Sequence, residues 1–144
     1  MSTKRKIILR GPFEYYEFPA DAALTPGDYI RLNSDGEVAR NSVVTVGVPH
    51  YAMFAEADTL QGKTIDDDYA AGDIVRCIVP QRGAVVHVTL AVSQTIVIGD
   101  VLAPDNAGNF IKLNQGTSAE GMLVAKEAVT TDGSTKQRIE AYVL

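Results

Sequence analysis

The chain has 144 residues, 46% of them hydrophobic, which suits one folded domain and excludes a disordered polymer. Its single cysteine, Cys77, excludes an intrachain disulfide. The net charge of −5 is uneven: Lys4, Arg5, Lys6 and Arg10 make the first ten residues +4, so the rest carries −9, a balance that argues against nucleic acid as main partner.

From the N-terminus onward, short β-branched runs alternate with turn residues, the punctuation of an all-β chain. The first run, Lys6–Arg10, is basic and then apolar, but Ile7-Ile8-Leu9 is too short for a signal-peptide core. Gly11–Pro19 follows with Phe13, Tyr15, Tyr16 and Phe18, four of the chain's ten aromatics. Two readings are open for it. It can be a first strand and loop covering its own core, or an arm that docks on another chain. On the second reading Lys4, Arg5, Lys6 and Arg10 meet an acidic surface, and Phe13, Tyr15, Tyr16 and Phe18 act as anchors. Ile7, Ile8 and Leu9 then add a strand to a neighbour's sheet edge. Residues 1–18 would be an extended N-terminal arm on a β domain spanning 19–144, and deleting 1–18 would leave that domain folded.

Further strands are expected at Tyr29–Leu32, Val43–Val48, Ile74–Val79, Ala84–Val92, Val101–Leu102, Phe110–Leu113, Gly121–Val129 and Gln137–Val143. Short helical pieces fit Ala20–Leu24 and Ile65–Ala71, each needing tertiary support. The charge-free stretch Gly83–Gly99 alternates, with Val86, Val88, Leu90 and Val92 on one face and His87, Thr89, Ala91 and Ser93 on the other. That period of two marks a half-buried strand rather than a membrane span, and it leaves His87 on the solvent side.

One element recurs. Gly27-Asp28, Gly72-Asp73 and Gly99-Asp100 each precede two strand-forming residues, and Gly27 and Gly99 are each followed nine positions later by the glycine of a polar turn, Gly36 or Gly108. The expected geometry is a chain reversal at glycine, with aspartate bonding its own backbone, feeding a hairpin. Asp35-Gly36 and Asp132-Gly133 both suit tight hairpin turns.

Catalytic and metal constellations are sparse. His50 and His87 have no companion motif, Cys77 reads as a small buried thiol, and Ser118 lacks a nucleophile elbow. Asp66-Asp67-Asp68 lacks the alternating ligands of a calcium loop and reads as a solvated turn. Lys126 distantly resembles the modified lysine of a lipoyl or biotinyl carrier, but it falls inside an expected strand rather than at a hairpin tip. No metal, cofactor or catalytic site is therefore expected.

Leu24-Thr25-Pro26-Gly27-Asp28 followed by Gly36-Glu37-Val38-Ala39, then Gly72-Asp73-Ile74-Val75 with Arg82-Gly83, Ile98-Gly99-Asp100-Val101-Leu102 with Asp105 and Gly108, and the strand from Gly121 to Ala128 form an ordered series over about residues 20–144. In that order and spacing the chain resembles the capsid cement, or head decoration, proteins of tailed bacteriophages. The resemblance implies a β-tulip or small β-barrel-like fold in a single compact domain and no enzymatic activity. It further implies a homotrimer on the outer surface of the mature head, bridging major capsid protein subunits against DNA pressure, assembled in the bacterial cytoplasm without direct nucleic-acid or membrane contact. A carrier or ligand-binding barrel, and a phage tail or fibre component, are the alternatives.

Overall fold

A computed structural model of the chain describes residues 5–43, 51–114 and 120–144. The protein is an all-β single domain, and among the described residues the helical element is a 3-10 turn at Thr59–Gln61. Its strands are β1 (Ile8–Arg10), β2 (Phe13–Pro19), β3 (Ile30–Leu32), β4 (Val38–Arg40), β5 (Phe54–Ala55), β6 (Ile74–Pro80), β7 (Val85–Leu90), β8 (Thr95–Ile96), β9 (Val101–Pro104), β10 (Phe110–Lys112), β11 (Leu123–Ala125), β12 (Val129–Thr130) and β13 (Gln137–Val143).

Five strands in the order β7-β13-β11-β9-β10 close into a small barrel, because β10 returns to pair with β7 in parallel at Phe110 and Leu90. The N-terminal half repeats this circuit as β2-β6-β5-β3-β4. β2 pairs β6 along its full length and β6 pairs β5. β5 joins β3 through the Tyr29–Phe54 bridge and an Ile30 N–H donated to Met53 O at 3.0 Å, and β3 pairs β4. Ala20, just past β2, then meets Val38 of β4 in parallel. We call these ring 1 (β2, β6, β5, β3 and β4) and ring 2 (β7, β13, β11, β9 and β10).

The Gly-Asp turns explain the likeness locally. Gly27, Gly72 and Gly99 have φ of +100°, +86° and +92°, the third-position geometry of a type II turn that costs a side chain dearly and glycine nothing. In each turn the aspartate carboxylate accepts the N–H three residues back: Thr25 at 2.9 Å, Ala70 at 2.8 Å and Val97 at 2.9 Å. The turns that follow also match. Asn33 Oδ1 accepts the N–H groups of Asp35 and Glu37, and Asp105 Oδ1 accepts those of Ala107 and Asn109. Even the ion pairs correspond, Arg40 to Asp28 at 2.7 Å and Lys112 to Asp100 at 3.7 Å.

Two apolar cores result. One, with Leu24, Ile30, Val38, Met53, Val75 and Cys77, fills ring 1. The larger fills ring 2 and runs on into Tyr29, Phe54 and Ile78, which lie on the outer wall of ring 1. Tyr29, Phe54 and Phe110 meet there with ring centroids 5.7–5.9 Å apart, so the two rings share one buried joint.

Several expectations are corrected. No α-helix forms at Ala20–Leu24 or Ile65–Ala71. Ala20, Leu24 and Tyr69 instead make single β-bridges, and Asp67 and Asp73 bind the surrounding backbone N–H groups in turns. The strand expected at Gly121–Val129 breaks after Ala125, because β11 belongs to ring 2 whereas β12 pairs β8. Asp132-Gly133 does not close a hairpin, since β12 and β13 pair with other strands; Asp132 instead accepts the N–H groups of Ser134 and Thr135. Strands β2, β5 and β8 were not expected as such. Of Val43–Val48, only Val43 lies within the described residues, and it is outside any strand.

Candidate functional site

Over its described part, 5–18, the segment expected as an arm lies on its own chain. Ile7 is fully buried, and β1 lies along β7 with Ile8 opposite Val86. Glu56, itself buried, holds it there: its carboxylate accepts the N–H groups of Ile7 at 2.7 Å, Ile8 at 2.9 Å and Ala57 at 2.7 Å. β2 is a wall of ring 1 through seven paired residues, from Phe13 opposite Pro80 to Pro19 opposite Ile74. The segment is thus built into the domain rather than extended from it, and β1 already pairs β7 along one edge. Glu56 was not singled out in the sequence. A lone glutamate 49 residues from its partner leaves no local signal.

What the segment offers outward is specific. Arg5, Lys6 and Arg10 are exposed, while Lys4 lies outside the described residues. Phe13, Tyr15 and Tyr16 are 40–47% exposed, and Phe18 is half-buried. Alternation along β2 sends the aromatics to two faces. Tyr15 faces out of ring 1, its O–H donating to Glu17 Oε1 at 2.6 Å and its ring lying 5.0 Å from the Arg76 guanidinium carbon. The glutamate partner and partial burial together push the Tyr15 hydroxyl above its usual pKa, burial being the larger cause. Tyr16 and Phe18 face the other way and stack at 6.3 Å. With Leu32, Tyr51, Met53 and Val79 they line an open apolar cup of about 290 Å³ at the mouth of ring 1. A cup so poor in polar groups suits an apolar surface better than a polar substrate.

The other candidate groups lie elsewhere. His87 is 4% exposed, a correction to its expected place on a solvated face. β7 is central, with its second face covered by the Gly27 turn and Arg138, which donates to Pro26 O and to Ile65 O. Cys77 is buried as expected, and desolvation pushes its thiol up to about 12, so it stays protonated and unreactive at neutral pH. Lys126 is exposed at the bend after β11 rather than inside a strand. Its N–H donates to Glu140 O at 2.9 Å, which ties the bend to β13 instead of presenting a free hairpin tip. Asp66 meets Arg138 at 3.2 Å in a solvated turn, and no group of three or more metal-ligating side chains occurs among the described residues. His50 and Ser118 lie outside the described residues. No helix among the described residues is long and apolar enough to cross a membrane.

No protein-family model matches the chain, and no curated protein matches it. Among solved structures, the chain is similar in fold to the N base of head fiber gp8.5 of bacteriophage phi29, with a TM-score of 0.57 at 12% identity, over 92% of this chain and 95% of that one.

Proposed function

We propose that this chain is a non-enzymatic structural protein of a bacteriophage head, which binds the outer surface of the mature capsid and bridges major capsid protein subunits as a cement. The observation that carries this reading is the fold shared with a phage head fiber base over nearly the whole of both chains. The acidic body suits an exterior position, away from packaged DNA. The mechanism is mechanical: each bound copy opposes separation of the subunits it spans, and symmetry multiplies weak contacts into a stable shell. Three copies at a threefold site would supply the homotrimer.

The contact surface in this proposal is the exposed part of the N-terminal segment. Arg5, Lys6 and Arg10, with Lys4, give it charge for an acidic partner, and Phe13 and Tyr15 give it apolar area with few rotors to freeze. The same structural likeness favours a second reading, that the chain is the base of a head fibre, because the similar structure is such a base. Co-sedimentation of purified protein with expanded capsids lacking it tests the first. Binding that saturates and weakens with salt supports cement, and no binding refutes it. Immunogold labelling of virions separates a head from a tail position.

A further inference from the structure

The internal repeat shows how one part of this protein covers another. In ring 2, Val86, Val88, Pro104, Leu123 and Val143 match five of the six cup residues and are buried, while Gly121, which matches Tyr51, is partly exposed. They match by pairing: Tyr16 opposes Cys77 as Val86 opposes Ala141, and Leu32 opposes Val38 as Pro104 opposes Phe110. The cover comes from ring 1. Its outer wall carries a row across β3, β5 and β6, Tyr29–Phe54–Ile78, which is at most 1% exposed and belongs to the core of ring 2, with Ile7 completing the lid. Tyr29 N–H also donates to Gly108 O in the β9–β10 turn at 2.8 Å.

Ring 2 carries the corresponding row on its own outer wall. Val101, Val124 and Tyr142 stand side by side across β9, β11 and β13, in the register of Tyr29, Phe54 and Ile78. This row is apolar too, and among the described residues it is less covered than its counterpart: Val101 and Val124 are half-buried, Val101 lying against Gly121, and Tyr142 is 42% exposed. Leu144 and Ile98, 53% and 71% exposed, are further apolar side chains near it in sequence. Among the described residues there is thus one covered mouth, one open mouth, one buried wall and one partly exposed wall.

We propose that a second copy of this chain docks its β9–β11–β13 wall into the open mouth of ring 1, repeating between chains the packing that joins the two rings within a chain. The contact is head to tail, so copies close into a ring where the rotation allows and otherwise extend. It concerns free copies and does not depend on the capsid-binding role.

The test uses the full chain with Tyr16→Asp in the mouth and Tyr142→Asp in the wall, both at exposed positions, each first shown by circular dichroism and urea midpoint to be folded. A variant that fails this control is replaced by Leu32→Lys or Val124→Lys. Sedimentation equilibrium of the unaltered chain should show mass rising with concentration, and each variant alone should be monomeric. Mixed one to one, the variants should form a heterodimer and nothing larger, since the mixture holds one intact mouth and one intact wall that can meet. An unaltered chain that stays monomeric at near-millimolar concentration overturns the proposal. So does undiminished association of either variant, or a mixture that remains monomeric. A monomer that still binds capsids overturns this proposal alone and leaves the function above standing.

Discussion

Replacing Glu56 with alanine removes one carboxylate and strands three backbone donors: Ile7, Ile8 and Ala57. If β1 stayed in place, the Ile7 and Ala57 donors would remain buried without a partner at about 1–3 kcal/mol apiece, with a smaller loss at part-buried Ile8, so detachment of β1 is the cheaper outcome. Detachment exposes Ile7, which is fully buried, at about 2–3 kcal/mol, and adds a smaller share from half-buried Ile8. The expected loss is therefore about 3 kcal/mol, set by what β1 contributes rather than by the sum of the hydrogen bonds. Urea unfolding measures that loss. Hydrogen exchange locates it, because the His87 N–H donates to Ile7 O at 2.7 Å and should lose protection with β1 while the rest of β7 keeps it. A second comparison sharpens the test. In a chain lacking residues 1–10 the Glu56 carboxylate has lost two of its three donors, so Glu56→Ala there should be neutral or stabilising. A loss below about 1 kcal/mol in the full chain, or unchanged protection at His87, would refute the clamp.

The repeat supplies matched pairs for further tests. Gly36 and Gly108 share φ of +78°, but a Cβ at Gly36 meets open space whereas one at Gly108 lies 3.0 Å from Arg40 Cγ and 3.1 Å from Tyr29 O. Gly36→Ala should cost about 1–2 kcal/mol and Gly108→Ala visibly more in thermal melts, with equal losses counting against the joint. Asp28→Ala should cost about 2–3 kcal/mol, since Asp28 is buried while Arg40 still reaches water, and Asp100→Ala about 1 kcal/mol. Burial raises the pKa values of Cys77, Tyr29 and Tyr69 above their unfolded values, so their contribution is intact below about pH 9 and is lost as the unfolded chain ionises first on going alkaline. The urea midpoint should fall above about pH 9, and a flat midpoint to pH 11 would contradict the burial of these groups. Deleting residues 1–18 should unfold the protein, because it removes β1 and a full wall of ring 1; a folded truncation would show that β2 is dispensable.

The sequence alone determined the turns. A glycine with positive φ and an aspartate bonding nearby backbone are interactions within four consecutive residues, so the spelling of Gly27-Asp28, Gly72-Asp73 and Gly99-Asp100 was enough to predict a chain reversal held by the aspartate. The hairpin expected to follow forms after Gly27 and Gly99 but not after Gly72, whose strand β6 pairs β2 and β5 instead. It also determined the all-β class, through the period of two and the burial of Cys77 in a strand. Tertiary structure decided everything that depends on what lies opposite a strand. Alternation along β7 says that its two faces differ, but only the Gly27 turn and Arg138, packed on the second face, bury His87 and Thr89. The aromatics of Phe13–Phe18 say that a surface is apolar, but only pairing with β6 makes that segment a wall and divides Tyr15 from Tyr16. The same holds for the two rings. Their turns are written locally and twice over, whereas the covering of one mouth and the exposure of the other depend on contacts between residues more than fifty positions apart, such as Tyr29 and Phe110.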